Sequence, residues 1–285
     1  MSGAVMFGVQ LRHELVKLFA RKRTYIGFGA FLGVQLAVLA LLQLPKPRRA
    51  FAALLSNNGY LPEDYYAGLT LALLVIVFSI SLLGALYVAL VGGDVVAKEV
   101  EDGTMRMILA RPISRLRLLA IKWLACALYT FVLMLFLGAT SLAAGVIQRG
   151  SLGHMFVFVP HEGIFGVFGP GEGLWRYARS VLLLGLVTQI ITAIAFMFSC
   201  FKMKPAAATI LTLTVMFVDF VLRNIPYFSS YQKYFISYHT ACWVRTYVDV
   251  VPWWSIGESL VYLGALTATC WIVGAMAFCS RDFKS

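Results

Sequence analysis

The chain has 285 residues, 60% hydrophobic and only 13% charged, with a net charge of +11 at pH 7 and a mean hydropathy of +0.82. Its apolar residues come in blocks of about 17 to 25, enough for a helix to cross roughly 30 Å of hydrocarbon, which excludes an ordinary soluble domain. No alternating ten-residue strands mark a membrane barrel, and no continuous basic face on a soluble domain points to nucleic acid.

The N-terminal arm, "MFGVQLRHELVKLFARKR", places Phe7, Leu11, Leu15 and Leu18 at helical spacing, with Arg12, Lys17 and the 21–23 basic cluster mostly elsewhere on the wheel. It reads as an amphipathic helix in the membrane interface, continuing into a retained signal anchor rather than a cleaved leader. His13 beside Glu14 reads as a surface residue. The first span is expected over 24–44, with Gln35 and Gln43 on one face. The second is expected over 67–91. Beyond it, "GDVVAKEVEDGTMRMILARPISRLRLLAIKW" carries acids first (Asp94, Glu99, Glu101, Asp102) and bases afterwards (Arg106, Arg111, Arg115, Arg117, Lys122). This stretch reads as a charged turn over 98–102 ending in Gly103, then a short helix with Thr104 as its cap. Met105, Ile108 and Leu109 form the apolar face of that helix. Pro112 stops it, and Ser114 caps the next helix, which takes Arg115, Arg117 and Lys122 into the third span. An apolar face this small is not a core; it packs on the bundle or fits a groove on a partner.

Four further spans are expected over 118–147, 178–201, 206–222 and 256–279. They make a six-helix, all-α membrane protein of a single domain, 1–285, because only helices satisfy their own backbone polar groups in lipid. The stretch 154–175 reads as surface turns. His154, His161 and Glu162 there match no metal-site template, so no metal and no cofactor is expected. Gln189 and Thr192 share a face of the fourth span; with Gln35 and Gln43 they either bond neighbouring helices or line a path. Asp219 and Arg223 are spaced for an i, i+4 ion pair. Between 223 and 255, Tyr227, Tyr231, Tyr234, Trp243, Trp253 and Trp254 suit an interfacial aromatic belt. Of the five cysteines, Cys126, Cys200, Cys270 and Cys279 fall in or beside spans and Cys242 in a loop, which implies no disulfide framework.

With the N-terminus in the cytoplasm, fifteen Lys and Arg fall inside and nine outside. Basic loop residues favour the cytoplasmic side, so both termini and the 93–123 stretch are expected there, in a multi-pass protein of the cell (inner) membrane.

The ordered set Asp94, Glu99, Glu101, Gly103, Thr104, Leu109, Arg111, Pro112, Ser114, Arg115 and Lys122 closely resembles the first cytoplasmic loop of the type-2 ATP-binding-cassette (ABC) exporter permeases, the ABC-2-type membrane subunits. The six-span layout, the amphipathic arm and the C-terminal "FCSRDF" also resemble that family. It often has Leu where Met105 stands and Ala where Arg111 stands. The resemblance implies a coupling helix between spans two and three that seats in an ATPase, and it makes part of 223–255 a re-entrant or surface hairpin. Glu99, Glu101, Gly103, Thr104, Met105, Ile108, Leu109, Pro112, Ser114 and Arg115 would then serve that coupling. No phosphate-cradling G-x-x-x-x-G-K-[ST] loop occurs, so the ATPase would be a separate subunit in two copies, beside a second permease chain (the same chain or a sister) and membrane lipid. Two other classes compete. A membrane enzyme needs paired catalytic groups within spans, and an ion-coupled transporter needs several intramembrane ionisable groups or broken helices in related halves.

Overall fold

The computed structural model describes residues 3–109, 113–159 and 162–281. Among the described residues, six helices are long and apolar enough to cross a membrane: Lys22–Gln43, Gly68–Glu101, Arg115–Arg149, Pro170–Cys200, Pro205–Asn224 and Trp253–Ser280. All six expected spans are found, most of them longer than their apolar blocks. The second continues some ten residues past its expected end. It comprises α5 (Gly68–Ser79), a π-helical turn (Ile80–Gly84) and α6 (Ala85–Glu101). The expected charged turn over 98–102 is therefore helical as far as Glu101. Ahead of the spans lies α1 (Gly3–Phe19), followed by α2 (Lys22–Gln43), the first span.

The third span, α8 (Arg115–Arg149), is the spine of the bundle. Ser114 caps it, its Oγ accepting from the Arg117 N–H at 3.4 Å. Near its far end α8 meets α5 at backbone distance. A Cβ on Gly145 would lie 2.4 Å from the Gly68 carbonyl oxygen and 3.0 Å from the Ala72 nitrogen. Small residues of this kind let membrane helices approach closely, where packing rather than water drives association. The fourth span breaks at Thr188 into α9 (Pro170–Val187) and α10 (Gln189–Cys200). It is the innermost span, with 67% of its most apolar window buried, against 17% for the fifth and sixth, α11 (Pro205–Asn224) and α13 (Trp253–Ser280).

At the end of the bundle where α2 stops and α5 begins, α3 (Pro45–Asn57) and the short α4 (Pro62–Tyr65) cover the surface. The 154–175 stretch is more ordered than the turns expected of it. Strands β1 (Met155–Val159) and β2 (Ile164–Phe168) pair antiparallel, Met155 opposite Phe168. Met155, Phe156, Val157, Ile164 and Phe168 are all buried, which holds the hairpin against the bundle.

The expected Asp219–Arg223 ion pair is not made. Asp219 instead accepts the backbone N–H groups of Ile236 (2.8 Å) and Ser237 (2.7 Å), capping α12 (Ile236–Thr240). Arg223 pairs with Glu162 and donates to the Ser237 carbonyl at 2.9 Å. Exposed N–H groups at a helix start outcompete a surface ion pair for the carboxylate. The aromatic residues of 223–255 divide. Tyr227, Tyr231, Tyr234, Trp253 and Trp254 are exposed, as a belt requires, while Trp243 is half-buried against the core and Tyr247 is buried.

Candidate functional site

The polar insert is built by the overrun of the second span. Carrying α6 to Glu101 places Glu99 and Asp94 on its inward side, 3% and 6% exposed. Gly103 then turns the chain with φ 71°, a left-handed conformation that a Cβ disfavours. The next helix, α7 (Thr104–Leu109), starts at once. The Thr104 hydroxyl donates back to the Glu99 carbonyl at 3.2 Å and ties α7 to α6.

Behind α7 lies a buried ion cluster. Lys122, fully buried in α8, lies 2.8 Å from Glu99 Oε1 and 2.7 Å from Oε2, with hydrogen-bond geometry met at Oε1. It also donates to Glu14 of α1 at 3.0 Å. Lys17 of α1 pairs with the same Glu99, Arg21 stands 4.0 Å away, and Arg23 pairs with Asp94. A buried charge costs several kcal/mol unless it is paired and hydrogen-bonded. Glu99 therefore holds three segments together: the N-terminal arm, the end of span two and the start of span three.

That arrangement revises the face expected on α7. Met105 is 1% exposed and belongs to the core, and Ile108 packs against the core. The family resemblance makes both part of the apolar contact offered to the ATPase; in the structure both side chains pack into the bundle instead. Among the described side chains of this turn and helix, Glu101, Asp102, Gly103 and Met107 face outward, the last 67% exposed. Of the other residues expected at the site, the Leu109 side chain and Pro112 lie outside the described residues. Arg115 donates at 2.9 Å to the carbonyls of Cys279 and Arg281, satisfying acceptors at the end of span six.

The polar span residues pack on span three. Gln35 is buried and donates to Ser141 Oγ (3.0 Å) and the Leu137 carbonyl (3.3 Å). Thr192 shares a hydrogen bond with Thr130 at 3.0 Å. Gln189 donates to the carbonyls of Gly185 (2.9 Å) and Ala127 (3.3 Å), leaving its buried Oε1 unbonded. Gln43 parts from Gln35 and is exposed at the end of α2. No group of metal-ligating side chains occurs among the described residues. His161 lies outside them, Glu162 pairs with Arg223, and the His154 ring lies 5.6 Å from that of Tyr65.

Lys122 was the signal to follow. It interrupts an apolar run between Ile121 and Trp123, and a lysine in such a run needs a buried partner.

A sequence profile described as "ABC-2 family transporter protein" matches residues 16–282 of this chain. The chain belongs to the ABC-2 transporter family. The match spans all six membrane helices and the insert with its ion cluster, Glu14 excepted. The protein is a multi-pass membrane permease component of an ABC transporter, and membrane subunits of the ABC-2 family work with ABC ATPase partners. No curated protein sequence matches the chain.

Proposed function

We propose that the chain is the permease subunit of an ABC exporter driven by a separate ATPase, that α7 is the element seated in that ATPase, and that both termini are cytoplasmic in a cell (inner) membrane. The observation that carries this reading is the fixed seat of α7. One residue, Glu99, accepts from Thr104 of α7 through its carbonyl and from Lys122 and Lys17 through its carboxylate. A force on α7 therefore reaches span two, span three and the N-terminal arm together. A coupling element needs such stiffness, because a loose loop would absorb the work of ATP hydrolysis. Glu101, Asp102 and Met107 form the proposed contact face: two carboxylates for basic groups of the partner and one apolar side chain for a pocket. Glu99, Gly103, Thr104, Met105, Ile108, Ser114 and Arg115 act behind that face, as its support.

The working particle would hold two ATPase chains and a second permease chain, as a homodimer or with a sister permease. The test is Met107→Asp with co-purification of the partner and measurement of ATP hydrolysis. Burying an apolar side chain of this size contributes about 1.5–3 kcal/mol, so its replacement by a charge should cut co-purification by an order of magnitude or more. Unchanged co-purification and ATP hydrolysis in a well-inserted variant would remove α7 from the joint.

A further inference from the structure

At the end of the bundle opposite α7, two arginines converge on one cavity. Arg149 ends α8 and Arg48 stands on α3, and both line a cavity of about 400 Å³ with Phe51, Ala52, Pro62 and Tyr66. That volume falls in the roughly 300–1,000 Å³ range of small-molecule sites. The Arg149 guanidinium lies 3.9 Å from the centroid of the Tyr66 ring and that of Arg48 5.9 Å from it. Tyr66 is held in place because its hydroxyl donates to the Leu42 carbonyl at 2.6 Å. Arg149 Nε is buried and has no hydrogen-bond partner.

Two guanidiniums held over one ring repel each other unless an anion lies between them. A phosphoester suits them, since guanidinium forks match its oxygens in pairs, and Phe51, Ala52 and Pro62 offer an apolar wall to the stem it is attached to.

We infer that this cavity binds a phosphoester anion at the membrane surface away from the ATPase, either the headgroup of an anionic lipid or a soluble phosphoester. The site stands on its own geometry; only its assignment to the outer leaflet rests on the orientation proposed above.

The purified protein in detergent is incubated with phosphatidylglycerol or with diacylglycerol of the same acyl chains, and retained lipid is counted by native mass spectrometry. Wild type should retain phosphatidylglycerol about tenfold over diacylglycerol, as expected for charge-assisted hydrogen bonds, and Arg48→Gln and Arg48→Gln/Arg149→Gln should progressively abolish that preference. Arg48 is exposed, so its single variant keeps the test open if loss of Arg149 disturbs folding. Lys46, on the same helix but not lining the cavity, is the control for general surface charge. Glycerol phosphate is then added as competitor. Displacement of the lipid at millimolar concentration identifies the soluble phosphoester as a sufficient ligand, and retention identifies the lipid. Equal retention of the two lipids by wild type, or a loss in Lys46→Gln matching that in Arg48→Gln, overturns the inference.

Discussion

Removing Glu99 and removing Lys122 should not cost the same, although the two residues form one ion pair. Around Glu99 stand three cations, Lys17, Arg21 and Lys122, and one further acid, Glu14. Glu99→Gln leaves three cations facing one carboxylate, with the Lys122 ammonium fully buried. Breaking a buried pair in this way costs about 3–5 kcal/mol, because the surviving charge is left without compensation. Lys122→Met leaves two cations and two acids. Glu99 keeps Lys17 as its counter-ion and the part-exposed Glu14 can turn to water, so no buried charge is stranded and the loss should be nearer about 1–2 kcal/mol. The assay is thermal unfolding of the detergent-purified protein, together with protease sensitivity of the N-terminal arm. Glu99→Gln should lower Tm at least twice as far as Lys122→Met and should release α1 to cleavage. Equal shifts, or a larger one for Lys122→Met, would show that net charge does not govern the cluster.

Gly145→Ala should destabilise by roughly 1–3 kcal/mol in the same assay, because its Cβ would meet backbone atoms of α5 that cannot swing aside, whereas Gly33→Ala, which meets nothing within 4 Å, should be neutral or mildly stabilising. His239 is held between the Lys233 carbonyl (2.8 Å), Ser259 Oγ (3.1 Å) and the stacked Tyr262 ring, and burial pushes its pKa below the ordinary 6.5 despite the bond to Lys233, with Arg245 and Arg223 acting in the same direction as burial. The unfolded chain then takes up the proton first, so the contribution of His239 is present above pH 6.5 and lost as pH falls below it; Tm should drop over that window in wild type and less in His239→Gln, and identical pH profiles would exclude the histidine.

The membrane architecture was legible because bilayer thickness imposes a length on apolar blocks. All six spans were recoverable from runs such as 67–91 and 178–201, and Ser114 was readable as a helix start. The continuation of span two to Glu101 was not, since hydropathy falls in "GDVVAKEVE" and Gly93, Asp94 and its three valines are poor helix formers, so only the tertiary pairing of Asp94 and Glu99 accounts for it. Asp219 and Arg223 had the right spacing for each other, yet both were claimed by residues 236–237, from a segment whose position no local pattern encodes. At the candidate site, the motif located the insert but not which way its side chains face. A six-residue helix has too few positions for its apolar period to separate Met105 from Met107, and packing against the core made that choice.

Site-specific cross-linking tests the proposed coupling role most directly. Met107→Cys and Met105→Cys are introduced singly into a chain lacking the native cysteines, expressed with the cognate ATPase, and treated with a membrane-permeant reagent that bonds the cysteine thiol at one end and photo-inserts into any neighbouring chain at the other. The proposed seat of α7 predicts a permease–ATPase adduct from Met107→Cys, little or none from the buried Met105→Cys, and no labelling of Met107→Cys by an impermeant reagent applied to intact cells. Labelling of that cysteine from outside, or adduct yields that do not distinguish the two positions, would contradict it.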